Sequence, residues 1–277
     1  MFDKMQKQLP PVLPIAPLLQ RKATINPYRI GCHEILSRLR WDLRLESWRS
    51  RKKLRALKDS HAGEKAIILC NGPSLNRADF DLLKRTYCFG LNKIHLLFQR
   101  TSFRPSCIVA VNAFVIQQAA SFYNETEIPL FLSSVGLGIV RRAINRVFIH
   151  PTGLHRRFAR DCSMSFYEGH TVTYAAMQLA YHMGFTDVAL IGCDHYFETR
   201  GPGGLVVQGG DKDPNHFDPN YFANVPWQLP DLLESEVSYR MAYNIFTVGG
   251  RRLVNATDGG KLEILPRMSL GSFLCAR

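Results

Sequence analysis

The chain has 277 residues, 46% hydrophobic and 21% charged, which is enough apolar material for a sizeable core and argues against a disordered protein. Its seven cysteines, at 32, 70, 88, 107, 162, 193 and 275, form no C-x-x-C pair and no ladder of close spacings, against both a disulfide framework and a zinc cluster. The net charge of +12 is concentrated at the N-terminal end, where residues 1–60 hold fourteen Lys/Arg against five Asp/Glu, a net of +9 that leaves +3 for all the rest.

Pro10, Pro11, Pro14, Pro17 and Pro27 each fix φ and remove a backbone donor, so the first thirty residues read as an extended arm. From His33 to about Lys58, Ile35, Leu36, Leu39, Leu43, Trp48, Leu54 and Leu57 alternate with arginines and lysines in the manner of a basic amphipathic helix. Two readings compete. The helix lies on an anionic membrane surface with Trp41 and Trp48 at the headgroup boundary, or it packs on the remainder of the chain with a solvated charged face. Residues 1–60 are therefore set apart as a basic arm with an amphipathic helix, and 61–277 as the main domain. No apolar run approaches the ~20 residues that a membrane-spanning helix needs, and the start lacks the order of a signal peptide. The expected location is cytoplasmic, with peripheral attachment to the inner face of the plasma membrane under the first reading.

Beyond Gly63, short apolar runs alternate with helical stretches. Strands are expected at 66–70, 87–91, 107–111, 129–132, 147–149, 188–191 and 252–254, and helices near 77–84, 114–122, 173–183 and 232–247. Several strands are continuously apolar rather than alternating, as in a sheet covered on both faces. The expected class is α/β, a Rossmann-like and mostly parallel sheet with helices on both faces, plus the basic helical arm. The stretch 198–230 is too long for a simple connection, and its glycines, prolines and aspartates point to a lid or binding loop.

The first strand ends in Cys70-Asn71-Gly72-Pro73-Ser74-Leu75. Gly72 permits close backbone approach and Ser74 can cap a following helix, whose amides would face an anion. The same turn is also an ordinary way to begin a helix. It is neither a Walker loop nor a three-glycine dinucleotide fingerprint. Asn92 and Asn112 stand at two further strand ends, where ligands of open parallel sheets collect, although each is also a turn former or cap. Thr171 and Thr173 open a helical stretch and serve either as caps or as ligands of a base or sugar. Asp194, His195 and Tyr196 follow the strand at 188–191. Asp194 suits ribose hydroxyls and Tyr196 a leaving phosphate. His216, within Asp213-Pro214-Asn215-His216-Phe217, is a candidate general base because its ordinary pKa lies near neutrality. A metal set of Asp194, His195, Asp211, Asp213 and His216 ranks below this, for it lacks a compact ligand spacing, and no metal is expected.

Taken in series, Asn71–Leu75, Asn92, Gly169–Tyr174, Gly184-Phe185, Ile191–His195, Asn215–Phe217, Asn255–Thr257 and Gly259–Leu262 resemble the DUF115 family over about 63–270. That family is labelled 6-hydroxymethylpterin diphosphokinase MptE-like and includes relatives of motility-associated glycosyltransferases. Part of the pattern is similar to the bacterial sialyltransferases of glycosyltransferase family 42, which use CMP-activated sugars without a metal and employ a lid. The resemblance implies that Asn71, Gly72, Ser74, Asn92, Asn112, Thr171 and Thr173 contact the nucleotide. It places Asp194 and Tyr196 at the ribose and departing phosphate and His216 as base. Thr173 stands where that family usually has glycine.

The leading expectation is an inverting, sialyltransferase-like glycosyltransferase with a CMP-linked sugar donor, a glycan or lipid-linked acceptor and no obligatory cofactor. The alternative is a diphosphokinase using ATP and Mg²⁺ on 6-hydroxymethyl-dihydropterin. A non-catalytic basic protein that binds membrane or RNA is the third reading, with nucleic acid the less expected partner.

Overall fold

The computed structural model describes residues 26–152 and 156–276. It divides into two units after Asp42. The described part of the first is a single helix, α1 (Pro27–Asp42). Asn26 Oδ1 accepts from the Tyr28 amide at 2.9 Å and Pro27 takes the first helical position, where its missing N–H is harmless. Residues 27–30 are thus helical, where an extended arm was expected to reach residue 30; the remainder of that arm, 1–25, lies outside the described residues.

The second unit opens with α2 (Leu45–Leu57). The one helix expected over 33–58 is therefore two, parted where Arg44 adopts an extended conformation, φ −81° and ψ 136°. The division between the two units falls between these helices.

Seven parallel strands follow: β1 (Lys65–Leu69), β2 (Tyr87–Leu91), β3 (Cys107–Ala110), β4 (Leu130–Ser133), β5 (Arg146–Ile149), β6 (Asp187–Ile191) and β9 (Arg252–Asn255). Their order across the sheet is β5-β4-β3-β2-β1-β6-β9. Ile67, Ile68, Leu69, Phe89, Leu91, Ile108, Val109, Leu130 and Leu132 are all buried, which accounts for the unbroken apolar runs. The fold is the expected α/β, Rossmann-like one.

The chain steps outward from β1 to β5 and then returns through α5 (Val172–His182) to place β6 on the other side of β1. Here, between β1 and β6, strand order reverses, and open sheets of this kind have their crevice at that point. Helix α5 packs on β1, β2 and β3, and α6 (Leu232–Val248) packs on α5 and β9. On the outer flank of β5, Ser50 Oγ accepts the Phe148 amide at 2.9 Å and Lys53 Nζ donates to the Arg146 carbonyl at 2.8 Å, so α2 covers that edge. At the other flank Asn255 exchanges backbone hydrogen bonds with Pro266 and Met268.

Two expected helices are shorter than predicted. The 77–84 stretch is two 3-10 turns, Pro73–Arg77 and Phe80–Leu83, because the Asp79 side chain accepts from the Asp81 amide and restarts the chain. The 114–122 stretch is α3 (Ala113–Gln118) and α4 (Ala120–Glu125), divided at Ala119. The 198–230 loop contains an antiparallel ribbon, β7 (Val206–Gln208) with β8 (Pro226–Gln228), and α7 (Leu270–Cys275) closes the described chain.

Candidate active site at the carboxyl rim of the sheet

Leu69 pairs with Ile191, and the same register carries Gly72 level with Asp194. The Gly72 amide donates to the Gly192 carbonyl at 2.8 Å. The Asp194 carboxylate then turns back over the β1 turn, and its Oδ2 accepts from Ser74 Oγ at 2.7 Å and from the Ser74 amide at 3.1 Å. A Cβ added to Gly72 would lie 1.9 Å from that oxygen, so glycine is required by the approach of the carboxylate. The anion met by this turn is thus a side chain of the protein itself. Ser74 lies inside a 3-10 turn and does not act as its cap.

One strand further, Leu69 pairs with Gly90, which brings Asn71 level with Asn92. Asn92 is left-handed, φ 49°, a conformation its short amide tolerates. Its carbonyl accepts from Tyr123 Oη at 2.9 Å. The Oδ1 atoms of both Asn71 and Asn92 are buried and accept no hydrogen bond from a described residue.

The loop between β7 and β8 lies across these two strand ends. Phe217 donates its amide to the Asn71 carbonyl at 2.9 Å, and its own carbonyl accepts from Asn76 Nδ2 at 2.8 Å. Arg100 reaches Asp218 on the same segment. Lys93, next to Asn92 and 7% exposed, donates Nζ to the Tyr221 carbonyl at 2.6 Å and lies 4.6 Å from the Phe222 ring centroid. Burial pushes the Lys93 ammonium down to about 8, against the opposing pull of Asp213.

These contacts place His216. Its Nδ1 is 2.8 Å from Asp213 Oδ2, and its ring stacks on Tyr221 at 4.1 Å with an interplanar angle of 5°. Phe222, Trp227 and Phe197 meet it at 5.1, 6.1 and 5.9 Å. Burial raises the Asp213 carboxyl, but the hydrogen bond and charge of His216 together with hydrogen bonds from the Asn215 and Phe222 backbone outweigh it, and the net shift is downward. A carboxylate can only accept, so Nδ1 carries a proton, and in the neutral ring Nε2 then presents a lone pair. No described residue donates to that Nε2. The pair is a histidine held in one tautomer by a buried aspartate, the arrangement of a general base.

Asp194 and Ser74 stand together, as do Asn71, Asn92 and the His216 loop. The remaining candidates are placed differently. Asn112 caps α3, its Oδ1 accepting from the Phe114 and Val115 amides while Nδ2 donates to Gln228 Oε1 at 2.8 Å. Thr171 caps α5 through the Thr173 amide at 3.3 Å, and Thr173 is buried with Oγ1 3.6 Å from Cys70 Sγ. His195 is engaged by Glu236 at 3.0 Å. Tyr196 is 42% exposed with Lys261 Nζ 4.0 Å over its ring, and the Lys261 amide donates to the Asp194 carbonyl at 2.8 Å. Among the described residues no three His, Cys, Asp or Glu side chains gather as metal ligands. Lys93 and Tyr221, which motif reading did not single out, lie beside these candidates, as does Lys261, quoted there only within the 259–262 motif. The i,i+3 spacing of Asp213 and His216 was the one signal for the dyad.

A family profile described as 6-hydroxymethylpterin diphosphokinase MptE-like matches residues 43–200. No curated protein matches the chain. Among solved structures, the chain is similar to the MAf glycosyltransferase from Magnetospirillum magneticum AMB-1, at 14% identity and a TM-score of 0.49. The match covers 85% of this chain and 40% of that one, so the chain spans well under half the length of the solved protein.

Proposed function

Because the chain belongs to the 6-hydroxymethylpterin diphosphokinase MptE-like family and carries a histidine–aspartate pair at the rim of its sheet, we propose that it is a nucleotide-dependent transferase acting on a hydroxyl acceptor, and that the group transferred is a sugar. The observation that carries this reading is the 2.8 Å contact of His216 Nδ1 with Asp213 Oδ2, which leaves Nε2 of the neutral ring to take the acceptor's proton.

In the proposed reaction the acceptor oxygen forms a bond to the anomeric carbon as its proton passes to His216 Nε2. The bond from that carbon to the nucleotide phosphate breaks, and the electron pair leaves with the phosphate. Asp213 stabilises the imidazolium so formed. Tyr196 Oη and Lys261 Nζ, beside Asp194, receive the charge gathering on the phosphate. Asn71 and Asn92, level with one another at the ends of β1 and β2, would flank the nucleoside. A single displacement of this kind inverts the anomeric centre. The CMP-linked donor and a glycan or lipid-linked acceptor are the finer form of the proposal.

The family's description supports a second reading, transfer of diphosphate from ATP to a pterin. That reaction calls for carboxylates at a magnesium ion bridging the phosphates. Asp194 is engaged by Ser74 and Asp213 by His216, while Asp211 is exposed on the loop, so the residues present suit metal-independent glycosyl transfer better. Thermal melts with CMP, CDP, UDP and ATP, each with and without Mg²⁺, test both. Metal-independent stabilisation by CMP is the expected result. Stabilisation by ATP with Mg²⁺ alone would replace the first reading with the second, and no stabilisation by any nucleotide would reject both.

A further inference from the structure

Helix α1 carries an exposed apolar stripe. Tyr28, Ile35, Leu36 and Leu39 are 82%, 62%, 52% and 50% exposed, and Cys32 is exposed with them. At 3.6 residues per turn these positions form one stripe roughly 100° wide. The opposite side holds Ile30, Glu34, Ser37, Arg38 and Trp41, all buried or half-buried. Isoleucine and leucine exposed on one stripe are the reverse of the pattern that water favours. Exposed Arg29, His33 and Arg40 run along one border of the stripe.

We infer that this face of α1 is a docking surface for the headgroup region of an anionic lipid membrane. Lipid is favoured over another occupant by charge. The stripe is bordered by arginines and belongs to a sixty-residue segment of net charge +9, the sign that phosphatidylglycerol or phosphatidylserine attracts. The residue types also match a helix lying in the interface plane, with leucine, isoleucine and tyrosine toward the acyl boundary and arginine at the phosphates. No described helix is long and apolar enough to cross a membrane, so α1 would lie on the surface. The attachment is independent of the transfer chemistry.

Co-sedimentation of the full chain with two kinds of vesicle tests this, one of pure phosphatidylcholine and one of phosphatidylcholine containing phosphatidylglycerol. The protein is expected to pellet with the anionic vesicles, less so as salt is raised, and weakly with the neutral ones. Replacing Arg29→Gln and Arg40→Gln should weaken binding by about five-fold per charge. Replacing Ile35→Ser and Leu39→Ser should weaken it by about ten-fold or more. Unshifted melts would establish that both variants remain folded. Retention in the supernatant with both vesicles overturns the proposal. So does equal binding to both, or a dimer in solution that Leu39→Ser dissolves while the protein ignores anionic vesicles.

Discussion

Ser74 and Asp194 join the ends of β1 and β6 through two hydrogen bonds to one oxygen, from the hydroxyl at 2.7 Å and the amide at 3.1 Å. The crevice of the sheet is therefore closed at its floor by a side chain of the protein. Replacing Ser74→Ala removes the shorter of the two bonds. A hydrogen bond to a charged group contributes about 1.5–3 kcal/mol, and a urea melt should register a loss in or near that range.

The same carboxylate makes Gly72 irreplaceable. An added methyl would lie 1.9 Å from Asp194 Oδ2 and 2.7 Å from the Gly192 carbonyl, and the latter is backbone that cannot rotate away. Gly72→Ala should cost about 1–3 kcal/mol or more, as overpacking does, and a melt that matched wild type would mean that β6 does not approach so closely.

His216→Ala should lower turnover by about 10²- to 10⁴-fold, the range of a lost general base, with little change in the affinity for nucleotide. Asp213→Asn should produce a smaller loss, because the amide can still accept from Nδ1 but no longer offsets the imidazolium charge. The Asp213 carboxyl is shifted below its ordinary value in the fold. Its contribution to stability is therefore complete above the usual carboxylate range and disappears as pH falls through the depressed value. Urea melts of wild type and Asp213→Asn across acid pH should converge at the low end.

His95 provides a second pH dependence, with a defined window. Its ring stacks on Phe122 at 4.1 Å, and burial followed by the nearby Lys93 charge lowers it from the ordinary 6.5 to about 4. The unfolded chain takes up a proton below 6.5 whereas the folded one resists until about 4, so stability falls as pH drops through that interval. His95→Phe, which keeps the stack, should lose less stability between neutral and mildly acid pH than wild type does.

Asn112→Ala separates capping from ligand binding. Both functions of this amide are used within the chain, by the α3 amides and by Gln228. The expected outcome is a melt lowered by about 1 kcal/mol with the nucleotide-induced shift intact. A lost nucleotide shift would return Asn112 to the binding site.

The strands were legible because burial on both faces leaves a plain record: Ile67-Ile68-Leu69 and Ile108-Val109 admit no polar residue. The long helices α5 and α6 were equally readable from their periodicity. Where structure depends on local side-chain competition, sequence patterns said less. Asp79 interrupts one expected helix through a single hydrogen bond, and β7 is three residues long with Val206 48% exposed, so neither leaves a periodic trace. The rim residues carried a different ambiguity. Asn71, Asn92 and Asn112 have the same chemistry and comparable strand-end positions, and only the fold separates two with buried, unpartnered oxygens from one that caps a helix. His216 was identifiable as a titratable residue in a long loop, but the Tyr221 face on which it rests follows from how the loop lies on β1 and β2, which no spacing encodes.

The covering of β5 by Ser50 and Lys53, with Asn255 engaged by Pro266 and Met268 at the opposite margin, has a bearing on assembly. Bare strand margins are templates on which neighbouring molecules stack into fibrils. With ladder groups at each margin engaged by other parts of its own unit, the sheet is protected against such growth even though it is rich in isoleucine and valine. Concentrated on a surface or in bulk, the protein should resist amyloid-type aggregation for as long as α2 stays in place.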